Sequence, residues 1–298
     1  MKGAPYYPLI GFGCLGQSVD DQAFMRTDRA TGIFLVAGNS ELGDIYDSRR
    51  RLIGRLKWPS LSQIVRVSLD GRSLAWLVDP NSIAFRRLEI ATIAFSHLGG
   101  PLDQIDVPYL PRRIGLSGFR SNRLALLCRT RKNPELRLLL LERTSGKVVA
   151  DATNLALPTG LEGVRGIVVS GDGSLLMLLR SNTFSIIDVQ RNTVQTRDGL
   201  WPAMHPITSQ VLYVTREGAS RILDPFSSKS MQFRWATTAG FGCWSPRGDY
   251  ALCFSYPDKT DHEQRRLELL HIDSGTLHDW GPVAYDPDYY FWIDRAFV

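Results

Sequence analysis

A short phrase recurs three times along this chain: an apolar strand, a polar turn with glycine and a second apolar strand. It occupies residues 67–77, 169–179 and 243–253. The turns read Ser-Leu-Asp-Gly, Ser-Gly-Asp-Gly and Ser-Pro-Arg-Gly. One β-hairpin repeated at intervals along a chain is typical of a protein built from similar sheets arranged radially. The repeat therefore predicts an all-β fold.

Six copies of a larger unit, each with three or four short strands, can be traced around this phrase. They begin near Ile10, Ile64, Ile114, Ile167, Trp201 and Gly240. The fourth copy is the most regular, with predicted strands at residues 167–170, 175–179, 184–189 and 193–196. In the second copy the pattern also predicts a strand at residues 83–88. Because no linker-like stretch separates the copies, we predict a single domain over residues 1–298.

The last apolar segment, residues 289–298, lacks a full copy of its own. In a closed ring such a segment completes a sheet begun by the other terminus, since closure removes exposed sheet edges. We therefore predict a terminal strand that either closes the first sheet or forms part of a composite seventh one.

The polar turns at residues 68–71, 170–173 and 245–248 resemble the Ser-Pro-Asp-Gly turn of TolB-type (PD40) and WD40-like blades. This resemblance covers nearly the whole chain but concerns architecture only. It implies a β-propeller of about six, alternatively seven, four-stranded blades closed by the terminal strands. The Gly-His and Trp-Asp pairs of WD40 repeats are absent, and residues 278–280 (His-Asp-Trp) invert the order. Such scaffolds host many unrelated functions, so the resemblance implies no particular activity.

Arginine dominates the basic residues: 29 of the 35 are Arg, and the formal net charge is +5. Clusters lie at residues 49–51, 112–113, 129–132 and 265–266. The arginine bias suits either recognition of carboxylates and phosphates or a GC-rich genome, and we favour solvated loops. A nucleic-acid binder needs such clusters on one face with aromatic platforms between them. The sequence does not place them so, and we expect no nucleic-acid partner.

The cysteine content and the first residues favour a monomeric cytoplasmic protein with no membrane attachment. The four cysteines, none in a Cys-x-x-Cys pair, are Cys14, Cys128, Cys243 and Cys253. We expect buried thiols in a reducing cytosol, although Cys243 and Cys253 are spaced to face each other across one hairpin. The Gly-Phe-Gly-Cys sequence that ends at Cys14 is repeated at residues 240–243, which favours a strand over a lipoprotein signal. No run approaches the roughly 20 apolar residues that span a bilayer.

Residues with the chemistry of an active or metal site are present but scattered. No nucleophile elbow, phosphate-binding loop or dinucleotide fingerprint occurs. A metal pair at His271 and His278, or a cation site at Asp286, Asp288 and Asp294, is conceivable, but ordinary surface and turn roles are favoured. We therefore expect no catalytic residue, no cofactor and no metal.

Aromatic and arginine side chains near blade beginnings and the closure are the candidate partner-binding residues, because Trp, Tyr and Arg are the commonest binding anchors. They are Trp201, Trp244, Tyr285, Tyr289, Tyr290, Trp292, Arg112 and Arg113. Most of these aromatics are expected to pack between blades.

Two functions are compatible with these observations. The first is a non-catalytic module that docks a partner protein or peptide on one face of the ring, as a scaffold, regulator or immunity-like inhibitor. The alternative is a propeller hydrolase or lyase with a site at the channel mouth, for which Asp286, Asp288 and His205 are candidates. The sequence leans towards the first, because no spacing unites those candidates.

Overall fold

The structure, a computed structural model, is all-β. It describes residues 33–36, 42–47, 52–57, 65–70, 73–78, 91–97, 103–118, 121–129, 135–155, 160–233, 240–255, 265–283 and 290–293. In these ranges the strands form six four-stranded antiparallel sheets, and no helix is long and apolar enough to cross a membrane. The predicted all-β class is confirmed.

The sheets are numbered 1 to 6 in chain order. Sheet 1 contains β1 (Ile33–Val36), β2 (Leu42–Asp47), β3 (Leu52–Lys57) and β24 (Tyr290–Ile293). Sheet 2 contains β4 (Val65–Val67), β5 (Ser73–Val78), β6 (Ala91–His97) and β7 (Asp103–Val107). Sheet 3 contains β8 (Leu110–Leu116), β9 (Arg123–Arg129), β10 (Arg137–Glu142) and β11 (Val148–Asp151).

The second half of the chain continues the same order. Sheet 4 contains β12 (Gly166–Val169), β13 (Leu175–Leu179), β14 (Thr183–Asp188) and β15 (Thr193–Asp198). Sheet 5 contains β16 (Leu200–Met204), β17 (Val211–Val214), β18 (Ser220–Leu223) and β19 (Ser230–Gln232). Sheet 6 contains β20 (Gly240–Trp244), β21 (Tyr250–Ser255), β22 (Arg265–His271) and β23 (Leu277–Val283).

The last strand of the chain completes the first sheet. β24 pairs antiparallel with β1, from Ile293 opposite Ile33 to Tyr290 opposite Val36. The prediction that the terminal segment completes a sheet begun near the other terminus is confirmed. Within the described ranges this strand belongs to sheet 1 rather than to an additional sheet.

The recurring turn is held together by a buried serine. Ser170 Oγ accepts a hydrogen bond from the Leu175 N–H at 2.9 Å, and Ser245 Oγ accepts one from the Tyr250 N–H at 3.0 Å. Each hydroxyl also donates to an aspartate of its own turn. Gly173 follows with a φ of 77°, a conformation that glycine adopts without strain. These contacts explain why serine, aspartate and glycine recur at this point.

The core lies between neighbouring sheets. Leu127 and Leu138 of sheet 3 pack with Ile167 and Leu176 of sheet 4, and all four are at most 2% exposed. A similar cluster joins sheets 5 and 6. Apolar faces pressed sheet against sheet supply the hydrophobic stabilisation of an all-β protein.

The first strands of sheets 3, 4 and 5 run in the same direction. After β8, the Gly118 N–H donates to the Gly171 carbonyl at 3.1 Å, and a Cβ on Gly171 would overlap the Pro206 carbonyl beyond β16. At the opposite end, Arg113 Nε donates to the Arg165 carbonyl ahead of β12. β8 and β12 therefore lie side by side in the same direction, and the turns after β12 and β16 meet.

The first hairpin turns of sheets 2 and 6 also lie close to the turns of the neighbouring sheets. A Cβ on Gly118 would lie 3.1 Å from Asp70 Oδ2, and one on Gly248 would overlap the His205 ring. In sheets 2 to 6, one end of the assembly carries the starts of the first strands, here called the strand-start face. The other end carries the first hairpin turns, here called the turn face.

Candidate binding face

A cavity of about 260 Å³ opens on the strand-start face between sheets 3 and 4. Its apolar walls are side chains that are at most 9% exposed: Leu127, Leu136, Leu161 and Val164. The other lining residues are the charged Arg112, Arg113 and Glu162, together with Gly163. The site is therefore an apolar recess with charged groups around it.

Within the described residues, the cavity is open beside Gly163. The segment from Gly160 to Val164 connects sheet 3 to sheet 4 and forms one wall. Gly160 and Gly163 have φ values of 63° and 75°, in the left-handed region where L side chains are strained. A Cβ on Gly163 would meet no atom within 4 Å, so the space beside this residue is open.

The rim carries positive charge that the described residues do not balance. Arg112 is exposed, and Arg113 is oriented by carbonyl contacts with Arg165 and, at 2.7 Å, with Arg112. The carboxylate of Glu162 lies 3.1 Å from the Arg129 guanidinium. Among the described residues, neither Arg112 nor Arg113 forms an ion pair. Their forked guanidinium groups match carboxylate and phosphate geometry.

Two further arginines contribute buried donors beside this rim. The Nε atoms of Arg129 and Arg180 are buried and have no acceptor in the described part of the chain. Arg180 also donates to Ser185 Oγ at 3.0 Å and to the Gly160 carbonyl. Burial lowers the pKa of Arg180 below its ordinary value, yet guanidinium groups keep their charge in proteins. The cavity edge is therefore electropositive.

Trp201 lies on the strand-start face, at the beginning of β16 in sheet 5. Its side chain is 40% exposed and its φ is 48°. The pairing of β16 with β17 shifts register between Leu200 and Ala203, which is the irregularity that re-aims this residue. A bulky residue in the left-handed region costs about 1–2 kcal/mol, and such strain concentrates at functional sites.

The other aromatic candidates have different positions. Trp244 is 4% exposed, and its indole N–H donates to the Ala203 carbonyl at 3.0 Å, so its side chain belongs to the core rather than to a surface. Tyr290 and Trp292 lie in β24 opposite Val36 and Phe34. Tyr285 and Tyr289, like Asp286, Asp288 and Asp294, are outside the described residues.

His205 occupies the turn face, on the opposite end from the cavity. Its Nδ1 accepts hydrogen bonds from the N–H groups of Ile207 and Thr208, both at 3.1 Å. Its ring packs edge-on against Trp244 with centroids 4.5 Å apart. Burial lowers its pKa from 6.5, against an opposing contribution from the Gly248 backbone. These contacts give His205 a structural role in the turn.

His271, Cys128 and Cys253 have ordinary surroundings. His271 Nδ1 and Ser274 Oγ are 2.8 Å apart, and the described residues contain no group of three His, Cys, Asp or Glu side chains arranged to hold a metal. Cys128 and Cys253 are buried, and burial raises the pKa of the Cys128 thiol to about 12. Cys253 pairs with Phe241 rather than with Cys243, so the cysteines do not face each other as their spacing suggested.

The sequence predicted Arg112, Arg113 and Trp201 as binding residues. It did not predict the apolar side chains that line the cavity between the two arginines and sheet 4. Leu136, Leu161 and Val164 look like any other core residues in the sequence. The sequence feature that could have indicated the cavity is the pair Gly160 and Gly163, because it marks an irregular connection next to an arginine cluster.

Comparisons with known proteins assign no family to this chain. No family model matches it, and no curated protein matches it. Among solved structures it is similar to the crystal structure of a functionally unknown protein from Desulfotomaculum acetoxidans DSM 771. The identity is 12%, the match covers 83% of this chain and 78% of that chain, and the TM-score is 0.47. The function is therefore argued from the site alone.

Proposed function

We propose that this protein is a non-catalytic β-propeller whose six sheets are blades and whose strand-start face docks a partner protein or peptide. Contacts between strands of neighbouring sheets support the ring. They join β24 with β4, β4 with β8, β8 with β12, β14 with β16, β16 with β20 and β20 with β24. This sequence of contacts returns to sheet 1, as a ring requires.

The observation that carries the binding function is the composition of the strand-start face. It combines an apolar cavity, the charges of Arg112 and Arg113, which form no ion pair with any described residue, and the exposed, strained Trp201. An apolar recess rimmed by arginine, with an exposed tryptophan on the same face, has the composition of a binding hot spot. A scaffold, a regulator or an immunity-like inhibitor uses such a face without needing catalytic groups.

Affinity purification of the tagged protein from its native organism at low salt, followed by mass spectrometry, tests this proposal. We expect a stoichiometric protein partner with the wild-type chain. Trp201→Ala and Arg112→Glu should each reduce its recovery by about tenfold or more, since hot-spot truncations cost at least this much.

Matched controls on the turn face separate face-specific binding from general effects. Ile207 is 71% exposed, and Arg247 is exposed in the first turn of sheet 6. Ile207→Ala and Arg247→Glu should leave partner recovery unchanged. Recovery that falls with these variants but not with Trp201→Ala and Arg112→Glu would refute docking on the strand-start face.

A further inference from the structure

We propose that the cavity between sheets 3 and 4 is an anchor pocket for an acidic peptide segment that carries one leucine-sized aliphatic side chain. This inference rests on the proposed docking function and names the chemistry of the partner. The aliphatic side chain enters between Leu136, Leu161 and Val164, and neighbouring carboxylates of the peptide contact Arg112 and Arg113.

The volume of the cavity sets the size of the anchor. At about 260 Å³ it lies below the roughly 300–1,000 Å³ of pockets that enclose small-molecule ligands. It also opens to solvent beside Gly163 instead of closing over its contents. One side chain projecting from a larger molecule fits such a recess, because the rest of that molecule covers the opening.

The walls of the cavity select an aliphatic group. Leu127, Leu136, Leu161 and Val164 supply its apolar lining, and they belong to the core cluster of sheets 3 and 4. A rigid, preformed wall costs little ordering on binding. Each methylene that leaves water strengthens binding in an apolar site, so a leucine is favoured over an alanine.

The charge of the rim selects acidic neighbours of that anchor. Arg113 is held in place by the Arg165 and Arg112 carbonyls, which pre-orients its guanidinium. Glu162 lies beside Arg129, so its negative charge is offset and does not repel an acidic ligand. Opposite charges across a desolvated contact increase both specificity and association rate.

Methyl NMR of the intact chain, titrated with blocked pentapeptides, tests the inference. The first peptide has leucine between two pairs of aspartates, the second has alanine in place of leucine, and the third has lysines in place of aspartates. The leucine–aspartate peptide should shift the methyl signals of Leu136, Leu161 and Val164 with a dissociation constant on the order of 1 mM. The other two should bind at least about tenfold more weakly.

Charge-reversal variants locate the carboxylate contact. Arg112→Glu should weaken binding of the leucine–aspartate peptide by about tenfold or more, because an exposed cation becomes a repelling anion. Arg247→Glu, the same change on the turn face, should leave the dissociation constant unchanged. Both residues are exposed, so neither change removes a core contact.

Three results would overturn the inference. They are methyl signals that do not move with any peptide, an alanine peptide that binds as tightly as the leucine peptide, and equal binding by wild type and Arg112→Glu. Tighter binding of 4-methylpentanoate alone would assign the pocket to a small carboxylate. Tighter binding of a single-stranded oligothymidylate would assign the rim to nucleic acid.

Failure of this inference is distinguishable from failure of the proposed function. If the native partner depends on Trp201 and Arg112 but its segment is neither acidic nor aliphatic, docking on the strand-start face stands and the anchor chemistry is wrong. If recovery of the partner depends only on turn-face residues, both are wrong.

Discussion

His205 stands in sheet 5 where serine stands in sheets 3, 4 and 6. Its N–H donates to the Gln210 carbonyl, just as the Ser170 and Ser245 N–H groups donate to the residues that open the next strand. The imidazole Nδ1 accepts hydrogen bonds from two backbone N–H groups. Protonation of this atom would turn it into a donor that faces those two donors, and both hydrogen bonds would be lost. This single histidine makes the turn sensitive to pH.

Stability should therefore fall as the solution is acidified. The folded-state pKa of His205 is lowered below 6.5 by burial, so the unfolded state binds the proton more readily. The stabilisation is complete above about pH 6.5 and is lost as pH falls through the lowered folded-state pKa, by about 1–2 kcal/mol for two hydrogen bonds. Urea unfolding at several pH values measures this slope.

His205→Asn keeps an acceptor for the same N–H groups without a titrating ring. The variant should be less stable at neutral pH, because it loses the contact with Trp244, but its stability should fall less steeply as the pH is lowered below about 6.5. Burial also lowers the pKa of His278, so His278→Asn serves as the comparison for the remaining slope. An unchanged slope in His205→Asn would contradict this account.

Trp201 and Trp244 look alike in the sequence, but substitutions at the two positions should have different effects on the free energy of unfolding. Trp244→Ala should cost about 3–5 kcal/mol, because it removes a core ring and the donor to the Ala203 carbonyl. At Trp201, glycine should be more stable than alanine by about 1 kcal/mol, since only glycine relieves the left-handed backbone. Denaturant unfolding of the three variants measures both effects. An alanine variant at 201 that equals or exceeds the glycine variant would refute strain at this residue.

Trp201 and Trp244 also show that the sequence does not determine the environment of a single residue. Residue type alone predicts that tryptophan is mostly buried or binds a partner. Here Trp244 is buried and Trp201 is 40% exposed, although both lie at register shifts in the first strands of their sheets. The arginine pair Arg112 and Arg113 was singled out from sequence, whereas the carbonyl that orients Arg113 comes from the neighbouring sheet.

At the scale of strands and turns, the regularity of a copy decides how well its sequence predicts it. In sheet 4 the predicted strands coincide with β12 to β15 within two residues at each end, because its turns are short and its strands apolar. In sheet 3, β8 begins at Leu110 rather than Ile114, since Pro111 and the two arginines after it hide the strand pattern. The strand predicted at residues 83–88 lies outside the described residues.

The turns of neighbouring sheets approach too closely for a side chain at Gly171. A Cβ there would overlap the Pro206 carbonyl, and backbone atoms cannot rotate aside. Gly171→Ala should therefore lower the free energy of unfolding by about 1–3 kcal/mol. Ser181→Ala, at an exposed position of the same sheet, should change it by less than about 0.5 kcal/mol. Equal unfolding midpoints in urea for the two variants would contradict the close approach of sheets 4 and 5.

At the scale of the whole molecule, the pairing of β24 with β1 joins the last described strand to the first. A chain that stops after residue 289 leaves β1 with an unpaired edge. It should lose on the order of 3 kcal/mol of stability, measured by the urea midpoint. A synthetic peptide of residues 286–298 should restore the midpoint, whereas a scrambled peptide should not. A truncated chain as stable as the full one would contradict closure through this strand.

The sequence repeat predicts the strands and turns of each sheet. It says little about which side chains come together on the faces of the assembled sheets. Hairpins, turn serines and the terminal strand follow from local patterns. The cavity requires β8, β9 and the connection at Gly160 to Val164 to meet, and no local pattern encodes that meeting. This is why the fold class was predictable while the candidate site was only named through two of its arginines.

Hydrogen–deuterium exchange of the protein with and without its captured partner tests the central claim most directly, because it reports which face the partner covers. The account predicts added protection on the strand-start face, at residues 110–113, 160–166 and 200–204. Protection confined to the turn face, at residues 170–174, 205–210 and 245–249, would contradict it.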